Sequence, residues 1–217
     1  MVTTFNFQAA HAEISNIIYN PVSIGHDANF NPISYYFNTA FDTIQNPFYF
    51  NQENFIKNHQ VIFDRLTNPS QSIQDGGGFK TFVRNEIFGL RALPNYTLHL
   101  VGSGYDFRKI SEWFSQHHYP NPYLLGFIIS YIGQLGNETI ESSNTSDITG
   151  HDHLADIFIF DLLGKILFMD DDITDYFTNK LNMLSWHYQP FLNPETNHIE
   201  NAGSNYILRP KVENELG

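Results

Sequence analysis

The chain has 217 residues, no cysteine, 16% aromatic and 16% charged side chains, and a net charge of −12 from 23 acids against 11 Lys and Arg. That balance excludes a nucleic-acid partner, whose phosphates require a basic footprint, and electrostatic docking on an anionic bilayer. The missing cysteine excludes disulfides, thiolate zinc sites and a cysteine nucleophile, and it leans toward a bacterial envelope location, periplasm or outer membrane.

The length suits one domain with a sizeable core. The expected organisation is a single domain over 1–217. It comprises a loop-rich aromatic arm over 1–75, a helical core over 76–185, and a tail over 186–217 that reads as truncated. The N-terminal MVTTFNFQAAHAEISN carries no basic n-region, continuous apolar stretch or cleavage site, so no signal peptide is visible. An exported protein would then start, in this form, after its leader.

Three Asn-Pro pairs punctuate residues 20–47, marking turns or helix starts. Short helices are expected at Ile33 to Phe41 and Glu53 to Leu66, the second ending before Asn68-Pro69. Gly76-Gly77-Gly78 reads as a hinge into a helix beginning near Phe79, because no Lys-Ser/Thr follows in phosphate-loop spacing.

Three longer apolar helices follow. The first is capped by Asn95 or Thr97 and runs to about His117; the second runs from Tyr123 to about Glu141, after Pro120 and Pro122. The polar loop SSNTSDITG leads into the third, from His151 to Phe168, capped by Asp147, Thr149 or Gly150. The runs Tyr123 to Leu135 and Ile157 to Met169 fall short of the ~20 apolar residues a membrane span needs. They suit buried core helices better than a re-entrant hairpin.

The acids of MDDDITD fit the dipole at the start of a fourth helix reaching about Leu184. After Trp186 the periodicity is lost, NPETNHIENAG reads as loop, and SNYILRPKV alternates like a short strand with no evident partner. The fold class is therefore mainly α, a compact helical bundle with a loop-rich aromatic arm and a short C-terminal strand.

The chemistry concentrates between His99 and Phe168. His99, Gly102, Ser103 and Asp106 share one helical face, and Gly126, Ser130, Gly133 and Asn137 form a small-residue stripe on the next helix, so two smooth faces can approach closely. Glu138 and Glu141 sit at i,i+3, where two like charges require a proton, a cation or a His between them. His151, Asp152, His153 and Asp156 surround one turn of the third helix. A hairpin through the polar loop brings Glu138 and Glu141 toward them.

Such a set of carboxylates and imidazoles suits Zn, Mn or Fe. Glu138, Glu141, His151, His153 and Asp156 are the candidate metal ligands, and His99 and Glu138 the candidate catalytic groups. No HExxH or di-iron Glu-x-x-His spacing is present. The competing reading makes His99 a core histidine, lets Glu138 and Glu141 pair with Arg108 or Lys109, and leaves HDH as a solvated helix start. Arg108 with Glu112, and Asp161 with Lys165, read as i,i+4 surface or interface pairs. Ser103 has Gly on both sides, which does not match the G-x-S-x-G nucleophile elbow.

The order of His99, the acids Glu138 and Glu141 ending an apolar helix, Asp156 or Asp161, and Gly164 on a third helix resembles the VanZ-like family over about residues 95–168. The resemblance implies that these groups face one another across a small helical bundle associated with the bacterial envelope. A membrane or outer-membrane protein partner is expected with it; separately, if the terminal YILR strand opens an outer-membrane barrel, the helical block would be a periplasm-side or membrane-inserted plug. Two functions are therefore expected. One is an envelope-associated structural or interaction module. The other is a metal-dependent hydrolase with a His/Asp/Glu site between the central helices.

Overall fold

The computed structural model describes residues 14–21, 25, 27–42, 55–90, 92–141 and 151–210. The fold is mainly α. Among the described residues, α1 (Pro32–Ala40), α2 (Phe55–Thr67) and α3 (Pro69–Asp75) precede the glycine hinge. Asn31 caps α1 by accepting from the Ser34 N–H at 2.9 Å, with Pro32 at the first helical position. Pro69 and Pro122 likewise open helices. Their missing N–H is one that a helix start leaves unbonded anyway. Asn68-Pro69, expected to end a helix and enter loop, thus also starts one, and the arm carries more helix than its composition indicated.

The central rods are not uniformly α. Helix α4 (Phe79–Phe82) continues as a π-helical turn, π1 (Val83–Ile87). Helix α5 (Ala92–Pro94) runs through π2 (Asn95–Gly102) into α6 (Ser103–Gln116), and α7 (Pro122–Glu141) follows. The third rod is α8 (His151–Ala155), π3 (Asp156–Phe160) and α9 (Asp161–Phe168); α10 (Asp171–Asp175) then continues as π4 (Tyr176–Lys180). Asp170 caps α10 by accepting from the Ile173 N–H at 3.0 Å, as the acidic run implied. The caps expected at Asp147, Thr149 and Gly150 lie outside the described residues.

Helix α6 packs against both α7 and α9, and α1 covers α7. The glycines explain how closely. A Cβ on Gly104 of α6 would meet the Gly164 carbonyl oxygen of α9 at 2.6 Å, and a Cβ on Gly164 would meet the Leu100 carbonyl oxygen at 2.1 Å. The α6 small face therefore meets α9, whereas the pairing expected from sequence was with α7. The α7 stripe divides: Gly126 faces Ser111 of α6, while Gly133 and Gly136 face Tyr35, Thr39 and Ala40 of α1.

The i,i+4 ion pairs of α6 and α9, expected at the surface or at an interface, are both buried. Arg108 donates from Nε to Glu112 at 2.8 Å and from Nη2 to Asp171 at 2.6 Å and the Ser15 carbonyl at 2.7 Å. Glu112 accepts from the backbone N–H groups of Ile17, Ile18 and Tyr19. Lys109 pairs with Asp27 at 2.6 Å and lies over the Phe30 ring. A buried charge persists only when paired and hydrogen-bonded, so these partners fasten the 14–30 segment to α6.

The fourth helical segment ends at Lys180, four residues before the expected boundary, and the tail is not loop. Strand β1 (Leu184–His187) pairs antiparallel with β4 (Ser204–Ile207), and β2 (Phe191–Asn193) pairs with β3 (His198–Glu200). The strand expected without a partner has β1, and NPETN is the turn of a hairpin, with Asn197 at φ 58°. Asn tolerates that left-handed conformation because its short side chain bonds locally. Asn38 of α1 accepts from the Gly203 N–H at 2.9 Å and donates to the Tyr188 carbonyl at 3.0 Å, holding the paired strands on the helices.

Candidate functional site

Polar side chains line the buried junction of the three rods. His99 comes from π2, Glu138 from the last turns of α7, His153 from α8 and Asp156 from π3. His99 Nε2 lies 3.9 Å from Glu138 Oε1 and 3.6 Å from Asp156 Oδ2. The three donor atoms lie within 4.8 Å of one another. His153 Nδ1 is 2.6 Å from the other oxygen of Glu138, Oε2. One carboxylate is thus held by one imidazole and presented to a second.

The helical geometry contributes to this meeting. A π-helical turn adds a residue to the turn and rotates the side chains that follow, and such turns recur at functional sites. Two of the three grouped residues, His99 and Asp156, sit on π2 and π3, and these two turns pack against each other. The Gly104–Gly164 crossing allows this by bringing the α5–α6 and α8–α9 rods into backbone contact.

Burial sets the charge states. His99 is 8% exposed, and burial, reinforced by the nearby Lys165 and His153, lowers its pKa to about 4. At neutral pH it is an uncharged imidazole with a lone pair available on one nitrogen. Its Nδ1 is buried with no hydrogen-bond partner among the described residues. His99 also borders a small cleft of about 10 Å³, room for a single water, with Thr39, Asp42, Gln134, Asn137 and Tyr206 among its walls.

Not every candidate joins this group. His151 turns toward the hinge, with Nε2 3.1 Å from the Ile73 carbonyl and its ring edge-on to Phe82. The side chain of Glu141 lies outside the described residues. Glu138 does not pair with Arg108 or Lys109, whose partners lie elsewhere, and neither His151 nor His153 is solvated.

Two further polar groups adjoin the first. Ser103 and Lys165 both bond Asp161, with Lys165 Nζ also 3.4 Å from Ser103 Oγ. Burial pushes Asp161 up and Lys165 down, and each charge partly offsets the other's shift. Asp106 accepts from the Tyr206 hydroxyl at 2.7 Å and lies 3.5 Å from His187 Nε2. Tyr206 and His187 come from β4 and β1, which no helical periodicity could assign to this junction. Lys165 had a readable signal, since two charges at i,i+4 inside the apolar run FIFDLLGKILF must pair when the helix is enclosed.

Comparison with protein-family models, with curated proteins and with solved structures finds no match to this chain. Its functional reading therefore rests on its own geometry.

Proposed function

We propose that this chain is an envelope-associated interaction module that seats the α7–α9 side of its bundle on a membrane surface. The observation that carries the reading is a stretch of exposed surface without charge. Helix α7 has no charged residue from Pro122 to Asn137, and Leu124, Ile128 and Ile132 stand exposed at successive i,i+4 positions. On the third rod Phe158, Leu163, Ile166, Leu167 and Met169 are exposed, while the charged Asp161 and Lys165 are turned inward. The two rods touch where Lys165 lies under the Phe127 ring, 5.7 Å from its centre.

Contiguous exposed apolar surface on a folded protein marks a site of association. No helix among the described residues is long and apolar enough to cross a membrane, so the proposed contact is lateral seating rather than spanning. The buried polar junction then holds together the rods that present this face. The Cys-free, acidic composition and the VanZ-like ordering of His99, Glu138 and Gly164 support the envelope assignment, and insertion of apolar side chains supplies the affinity that a −12 chain does not obtain from anionic headgroups.

Sedimentation with phosphatidylcholine vesicles tests this. The chain is expected to pellet with vesicles in a manner insensitive to salt and to be released by Ile128→Glu combined with Ile166→Glu. Equal recovery in the supernatant with and without vesicles refutes the membrane reading. The second reading, a metal-dependent hydrolase, is favoured by the grouping of His99, Glu138 and Asp156 at the edge of a cleft.

A further inference from the structure

We infer that His99 Nε2, Glu138 Oε1 and Asp156 Oδ2 form a binding site for one first-row divalent cation of the Zn²⁺, Mn²⁺ or Fe²⁺ class. The site is independent of membrane seating and of any hydrolytic activity. Its first support is spacing. Donors bound at ~2.0–2.2 Å around a tetrahedral ion lie roughly 3.4 Å apart. The His99 edges, at 3.9 and 3.6 Å, approach that value and exceed a hydrogen bond. Contraction by a few tenths of an ångström brings both His99 edges to that value, and the Glu138–Asp156 edge is no longer than 4.8 Å.

The second support is the state of His99. It is buried, its Nδ1 has no hydrogen-bond partner among the described residues, and its Nε2 lies between two carboxylates at 3.9 and 3.6 Å. Its Nε2 stands just beyond hydrogen-bond distance of both carboxylates, and an ion between them would bridge all three donors. The uncharged imidazole is the form that ligates metals.

The third support is the way Glu138 is held. His153 binds Oε2 at 2.6 Å, leaving Oε1 toward His99. Metal sites orient their carboxylate ligands with such outer partners, so His153 is a positioning residue here. One nitrogen and two oxygen donors match the borderline ions better than Ca²⁺ or Mg²⁺, which take oxygen, or Cu⁺, which takes sulfur. Three protein ligands leave coordination positions open, and His99 borders a cleft with room for a single water.

The test uses the full chain stripped with EDTA and titrated calorimetrically with Zn²⁺ alone and Mn²⁺ alone, with Co²⁺ as a spectroscopic probe. One saturable site per chain is expected, with a rise in Tm and ligand-field absorption from Co²⁺. Asp156→Asn, which keeps side-chain shape, and His99→Ala should each weaken binding at least tenfold and reduce the Co²⁺ absorption. Absence of saturable binding overturns the assignment. So does wild-type affinity in both variants, which would place the metal on surface acids. If His99→Ala does not fold, Asp156→Asn decides alone.

Discussion

Replacing Gly164 by Ala tests the packing on which the candidate site depends, because helix propensity and tertiary contact predict opposite signs. As a helix substitution, Gly→Ala should stabilise by ~1 kcal/mol. Here the added Cβ falls 2.1 Å from the Leu100 carbonyl oxygen, 3.0 Å from its carbon and 3.1 Å from the His99 carbonyl oxygen. Ordinary contact lies near 3.5 Å, so the two rods must separate by roughly 1.4 Å. All three neighbours are backbone, and no side-chain rotation relieves them.

Overpacking of this kind costs ~1–3 kcal/mol, and a rigid backbone contact belongs at the upper end. Subtracting the propensity gain leaves a net loss of about 2 kcal/mol, equivalent to ~4–8 °C in Tm for a chain of this size. Thermal unfolding followed by circular dichroism at 222 nm measures it. A variant as stable as the parent, or more stable, would falsify the assignment of Gly164 to a backbone crossing. The same displacement separates His99 from Asp156, so Gly164→Ala should also weaken any metal affinity the parent shows.

Glu112→Ala should destabilise by about 3–5 kcal/mol, since it leaves the buried Arg108 without its fully buried carboxylate partner and three backbone N–H groups without an acceptor. Urea unfolding reads the loss, and limited proteolysis should show cleavage within residues 14–21; a loss under ~1 kcal/mol with unchanged protection would mean that the arm is held by other contacts. Gly126→Ala places a Cβ 2.1 Å from Ser111 Oγ, the end of a side chain that also bonds the Phe107 carbonyl at 2.8 Å. It should cost about 1–2 kcal/mol alone, and Ser111→Ala in the same chain should recover most of that. Additive losses in that cycle would contradict the direct α6–α7 contact.

The candidate site was legible in parts. His99, Glu138, His153 and Asp156 stood out because polar groups on apolar helical surface need partners, and the hairpin through SSNTSDITG implied that the end of α7 approaches the start of α8. His151, two residues from His153, was equally eligible by sequence yet faces the glycine hinge. Neighbours on a helix separated by about 200° of arc point to different surroundings, and only packing shows which of them faces the site. Tyr206 and His187 were hidden because strand pairing joins residues 184 and 207, and no local pattern encodes that register.

What the sequence by itself determined was the mainly α class, the approximate extent of the long helices and the capping acids of α10, because helical period, Asn-Pro starts and terminal charges are local physics. The tertiary structure alone decided that Arg108, Lys109, Glu112, Asp161 and Lys165 lie inside, since an i,i+4 pair has the same spacing on a surface as in a core. It also decided that Gly104 of α6 meets Gly164 of α9, and that π2 and π3 turn His99 and Asp156 toward Glu138. Each of these depends on which helix lies across the crossing, information carried by the shapes of both partners together.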